Sequence, residues 1–74
     1  MTEIRWRSLE DHHIIWIGWL EDRPLYLIVR GKKGWHRLYL LQYGTGVSKP
    51  PLGSYLERQE AEAAATRHYR SIVA

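Results

Sequence analysis

With 74 residues and no cysteine, the chain has room for one small domain, 1–74, that neither disulfides nor a cysteine zinc site can staple. Such a domain buries only about 60% of its unfolded surface, so packing must stabilise it, and the large groups available are four Trp and five Tyr. The 11 Lys and Arg exceed the 8 Asp and Glu for a net charge of +3, too little to mark a nucleic-acid binder unless the cations cluster.

Residues 1–7 lack the basic and then apolar order of a signal peptide. The longest uncharged run, residues 38–48, falls well short of the roughly 20 apolar residues that cross a bilayer. A soluble, cytoplasmic protein with no membrane contact is expected. Ile4 and Trp6 alternate with Arg5 and Arg7, the period-two pattern of a first strand over residues 3–8. Leu9, Glu10, Asp11 and His12 then read as a polar turn.

From residue 13 to residue 43 the alternation is almost unbroken and divides into strands at 13–20, 24–30 and 35–43. Glu21, Asp22, Arg23 and Pro24 mark the first turn, with Pro24 tolerated at the start of a strand. Gly31, Lys32, Lys33 and Gly34 mark the second; its two glycines can supply positive φ angles and its lysines point into solvent.

Parity gives two faces. One carries Ile15, Ile17 and Trp19, then Leu25, Leu27 and Val29, then Leu38 and Leu40. The other carries Ile14, Trp16, Gly18 and Leu20, then Tyr26, Ile28 and Arg30, then Trp35, Arg37, Tyr39, Leu41 and Tyr43. The first is aliphatic; the second is aromatic with arginines between the rings. A single bulge would exchange the faces between strands.

Residues 44–51, Gly-Thr-Gly-Val-Ser-Lys-Pro-Pro, form an expected exposed loop, after which residues 52–55 can add a short edge strand. Ser54 and Glu57 have capping-box spacing, which predicts a helix over about 55–72. Its acids, Glu57, Glu60 and Glu62, precede its bases, Arg67, His68 and Arg70, in the order that the helix dipole favours. Ala61, Ala64, Ala65, His68, Tyr69 and Ile72 make one stripe, which predicts close packing on the aliphatic face beside Trp19. The fold class is therefore α+β: a three- to five-stranded antiparallel meander over about 3–43 with one C-terminal helix on one face.

No catalytic signature is present. His12 and His13 are adjacent and face opposite ways in a strand, while His36 and His68 have no ligand partner at metal spacing, so neither a metal nor a cofactor is expected. Glu10, Asp11 and His12 read as a charged turn, and no Cys nucleophile, P-loop or G-x-S-x-G occurs. A non-enzymatic protein follows.

The binding candidates are Trp16, Tyr26, Trp35 and Tyr39, interleaved with Arg30 and Arg37 and joined by Lys32 and Lys33 at the turn. Such a face suits a protein interface, where Trp, Tyr and Arg form hot spots. It equally suits single-stranded nucleic acid, with stacked bases and neutralised phosphates. Rings that are partly core, or buried in a homodimer, are the structural alternative.

Leu52, Gly53, Ser54 and Tyr55, followed by Glu60-Ala61-Glu62-Ala63-Ala64 after strands bearing Trp16, Trp19 and Trp35, resemble the sheet-plus-helix modules of the AP2 and phage-integrase arm-binding type. The resemblance covers about the last third of the chain and implies a sheet that enters the DNA major groove, backed by an alanine-faced helix. In size and layout the chain is also similar to short accessory proteins of bacteriophages and mobile elements, anti-CRISPR inhibitors among them. That likeness implies an inhibitor whose protein partner belongs to a nucleic-acid-processing or host-defence complex.

Overall fold

The computed structural model describes residues 3–9, 14–42, 46–47 and 51–73. Four strands form a meander of successive antiparallel neighbours: β1 (Arg5–Ser8), β2 (Ile15–Leu20), β3 (Arg23–Arg30) and β4 (His36–Gln42). The outer edge of β4 is shared. β5 (Gly46–Val47) pairs with Leu41 and Gln42, and β6 (Gly53–Tyr55) pairs with His36, Arg37 and Leu38. One helix, α1 (Arg58–Val73), packs against this sheet, which makes the fold α+β as the periodicity predicts. Residues 10–13, most of the 44–51 loop and Tyr43 lie outside the described residues, with the turn and strand ends expected there.

The turns explain the register. Glu21 adopts φ 58° between the paired residues Leu20 and Arg23, a left-handed conformation that glycine would take at less cost. Pro24 is the second residue of β3 rather than its first, opposite Trp19 where the β2–β3 register shifts. The pairing of β3 with β4 runs only from Tyr26 to Arg30, so the missing N–H of Pro24 removes no bond on that side. At the next hairpin the Gly31 N–H donates to the Trp35 carbonyl (2.8 Å) and the Gly34 N–H donates to the Gly31 carbonyl (3.0 Å). Gly34, with φ 86°, alone supplies the positive angle expected of both glycines.

That hairpin overturns the parity reading. Five residues, 31–35, separate the paired Arg30 and His36, whereas a four-residue turn would have paired Arg30 with Trp35. The extra residue moves every β4 side chain to the other face. Leu38 and Leu40 therefore stand opposite Ile28 and Tyr26, and Arg37 and Tyr39 stand opposite Val29 and Leu27.

The core lies on the face that holds Trp16, Tyr26 and Ile28, not on the aliphatic face expected to receive the helix. Tyr26, Ile28 and Leu38 are buried against Ala61, Ala64 and Ala65, with Ile4, Trp6, Trp16, Leu25, Leu40, Tyr55 and Tyr69 packed around them. Gly18 stands between Trp6 and Tyr26 in the cross-strand row. A Cβ there would come within 2.8 Å of the Trp6 ring and 2.9 Å of Ile4, so the absent side chain is the space that Trp6 fills.

The helix starts one turn later than its capping box predicts. The backbone of residues 53–55 is committed to the ladder with β4, and Ser54 lies opposite Arg37. The Glu57 carbonyl instead accepts from the N–H groups of Glu60 (3.2 Å) and Ala61 (3.3 Å), which makes Glu57 the first half-helical residue. Glu60 in the first turn and Arg70 in the last suit the helix dipole. Ile72, expected on the packed stripe, is 59% exposed.

Candidate functional site

Beneath the helix the polar groups are bound to one another. The Tyr26 hydroxyl and His68 Nδ1 share a hydrogen bond of 2.7 Å, with the two rings edge to face at 5.7 Å. Burial first, and Tyr69 second, raise the pKa of Tyr26 above the ordinary tyrosine value. At the start of the helix the Arg58 guanidinium sits 5.1 Å from the centre of the Trp16 ring and also pairs with Glu62 at 2.9 Å. The His36 ring lies 5.7 Å from that of Trp16, tilted to it, and its Nδ1–H donates to the Leu56 carbonyl at 3.2 Å. These contacts fix the helix on the sheet.

Two of the predicted binding residues are thereby accounted for by packing. Tyr26 is 1% exposed and belongs to the core, so it presents nothing to a partner. Trp16 is half-buried against the same core. Arg30 is exposed but pairs with His36 on the helix side. The flipped β4 register places Arg37 and Tyr39 on the opposite side of the sheet from Trp16 and Tyr26. The continuous aromatic and arginine face expected from parity is thus divided between two sides.

The opposite side has its own order. Directly paired residues of antiparallel strands point the same way, and three cross-strand rows follow. The first runs Ser54, Arg37, Val29, Ile15; the second Tyr39, Leu27, Ile17, Arg7; the third Pro24, Trp19, Arg5. Ile15, Ile17, Trp19, Leu27, Val29 and Tyr39 thus form an apolar centre. Arg5 and Arg7 lie at the β1 edge and Arg37 toward the β6 edge. Each residue of this centre is half-buried. No described element covers them, because the helix takes the other face.

Two of the concavities at the margins bring cations together. Arg5, Arg7, Trp19, Glu21 and Asp22 line one of about 290 Å³. Gly31, Lys32, Lys33, Trp35, Arg37 and Ser54 line the other, of about 730 Å³. The second therefore brings together four of the eight predicted binding residues.

Sequence reasoning placed Arg5 and Arg7 among cations that could cluster on the sheet, but missed Ile17, Trp19, Leu27 and Val29 as surface candidates. The aliphatic alternation was visible; the hairpin geometry that leaves it uncovered was not. Among the described residues no three His, Asp or Glu side chains converge as metal ligands, and no helix is long and apolar enough to cross a membrane. Comparison with protein-family models, with curated proteins and with solved structures returns no match.

Proposed function

We propose that this chain is a small non-enzymatic binding protein, an inhibitor or adaptor, that docks on a protein partner through the sheet face opposite its helix. One observation carries the reading: six large apolar side chains, Ile15, Ile17, Trp19, Leu27, Val29 and Tyr39, are ordered in cross-strand rows that no described element covers. Uncovered contiguous apolar patches mark interaction sites. Their aliphatic centre favours a protein over nucleic acid, whose phosphates would meet cations only at the rim. The rim of Arg5, Arg7 and Arg37 asks for carboxylates around an apolar patch on the partner. The likeness to phage and mobile-element inhibitors suggests a cytoplasmic nucleic-acid-processing or host-defence complex as the partner to try first.

A photo-crosslinking residue placed at Leu27, in the centre of the face, is the test, with the same residue at the exposed Ala63 of the helix as control. The expected result is a discrete heterologous product from position 27 and none from position 63, and its loss when Ile17→Gln, at the cross-strand partner of position 27, is added to the crosslinker-bearing chain. With that partner purified, Trp19→Ala or Tyr39→Ala is expected to cost about 2 kcal/mol or more of binding, and Arg5→Ala much less, because central rings anchor while rim charges mainly steer. A product made only of two copies of this chain would replace the reading with a homodimer interface. Crosslinking from position 63 alone would move the site to the helix.

A further inference from the structure

The tip of the β3–β4 hairpin gathers cations. Lys32 and Lys33 occupy the turn, and Arg37 projects from the start of β4. All three line the 730 Å³ concavity with Gly31, Trp35 and Ser54, and no carboxylate lies in that lining. Among the described residues none forms an ion pair with Lys32, Lys33 or Arg37. Like charges held around a concave surface raise the local potential and attract an anion. The concavity falls within the roughly 300–1,000 Å³ of small-molecule sites.

Trp35 narrows the choice of anion. The residue is 43% exposed at the wall of this cleft, although tryptophan is among the side chains with most to gain from burial. A simple anion would engage the lysines and leave the ring unused, and so would an acidic peptide, whose carboxylates bring no aromatic ring to stack on the indole. A nucleotide engages both. Its phosphate meets the ammonium groups and the two-pronged guanidinium of Arg37, its base lies on the indole, and the Ser54 hydroxyl is at hand for sugar or phosphate oxygens. In a duplex the bases stay stacked on one another, beyond the reach of a ring on a hairpin tip.

We propose that this cleft binds phosphate-bearing nucleotides presented by a single-stranded nucleic acid, with Trp35 as the stacking platform and Lys32, Lys33 and Arg37 as the phosphate-binding groups. This site shares Arg37 with the rim of the open sheet face but none of its apolar centre, and neither reading requires the other.

Fluorescence anisotropy with a labelled short oligothymidylate, across a salt series, tests the assignment. An equal-length duplex, thymidine triphosphate and poly-glutamate serve as competitors. The single strand is expected to bind in preference to the duplex and to weaken as salt rises. Trp35→Ala should weaken it about tenfold while leaving the salt slope unchanged, and Trp35→Tyr should retain most of the affinity, because stacking is tolerant of which ring supplies it. The double variant Lys32→Ala, Lys33→Ala should flatten the slope by about 0.7 for each phosphate that is no longer neutralised. Leu27→Gln should leave all of this intact, which separates the cleft from the sheet face.

Displacement by thymidine triphosphate as effectively as by the strand would make the free nucleotide the source of the same chemistry. Absence of binding would overturn the proposal. So would equal affinity for duplex, competition by poly-glutamate as strong as by the strand, or a Trp35→Ala chain that binds like the parent while circular dichroism shows both folded.

Discussion

A buried phenol is tolerated in a core only if its hydroxyl finds a partner, and Tyr26 meets that condition through His68, 42 positions away in sequence. The contact ties the middle of the sheet to the last third of the helix, so Tyr26 serves packing and orientation together. Tyr26→Phe is expected to cost about 1 kcal/mol in urea unfolding at pH 7, the net value of one hydrogen bond. The pH dependence has a definite sign. Burial raises the folded pKa of Tyr26, so above about pH 10, the unfolded tyrosine value, the unfolded chain gives up a proton that the folded chain keeps. The stability this group contributes is fully present below that pH and is lost as pH rises through the folded pKa. The gap between the parent and Tyr26→Phe should therefore narrow or reverse in alkali; an equal gap at neutral and alkaline pH would remove Tyr26 as the titrating group.

The helix meets the sheet through methyl groups. Ala65 is fully buried at 0% exposure, beside Ala61 and Ala64 and over Tyr26, Ile28 and Leu38. Small residues on this stripe let the helix axis approach the large sheet side chains, so Ala65→Leu is expected to overpack and cost about 1–3 kcal/mol in chemical denaturation. A neutral result would place the stripe away from the sheet. The alanine stripe and the strand alternation were legible in the sequence because each depends only on local period. Which sheet face received the stripe was not, because that depended on one residue: Trp35, read as a paired strand residue, lies in the five-residue connection between Arg30 and His36. The late helix start has a similar cause. Ser54 has the spacing of a cap, but its pairing with Arg37 is a long-range interaction that local spacing does not reveal. The cleft residues Lys32, Lys33, Trp35 and Arg37 were legible because they are neighbours in sequence. The open face was legible as apolar but not as open.

Taken whole, the molecule is a sheet with one face under a helix and the other uncovered by any described element, and this asymmetry predicts how truncations should behave. Ile28 and Leu27 are adjacent in β3 and point to opposite sides: Ile28 is in the core beneath the helix, and Leu27 lies in the apolar row between Tyr39 and Ile17. Ile28→Ala opens a cavity in close-packed surroundings and is expected to cost about 2–5 kcal/mol. Leu27→Ala removes packing only within its row, so in dilute solution it should cost markedly less. Denaturation of both variants at two protein concentrations, with the mass fixed by light scattering, decides between two states of the open face. If Leu27→Ala costs as much as Ile28→Ala, and the parent gains stability with concentration, a second copy covers the face, because self-association stabilises by mass action. If Leu27→Ala remains mild and the parent is a monomer whose stability ignores concentration, the row is held free of the chain's own copies. A surface kept apolar and uncovered in that state has a stability cost and a solubility risk, and a partner protein that buries it removes both.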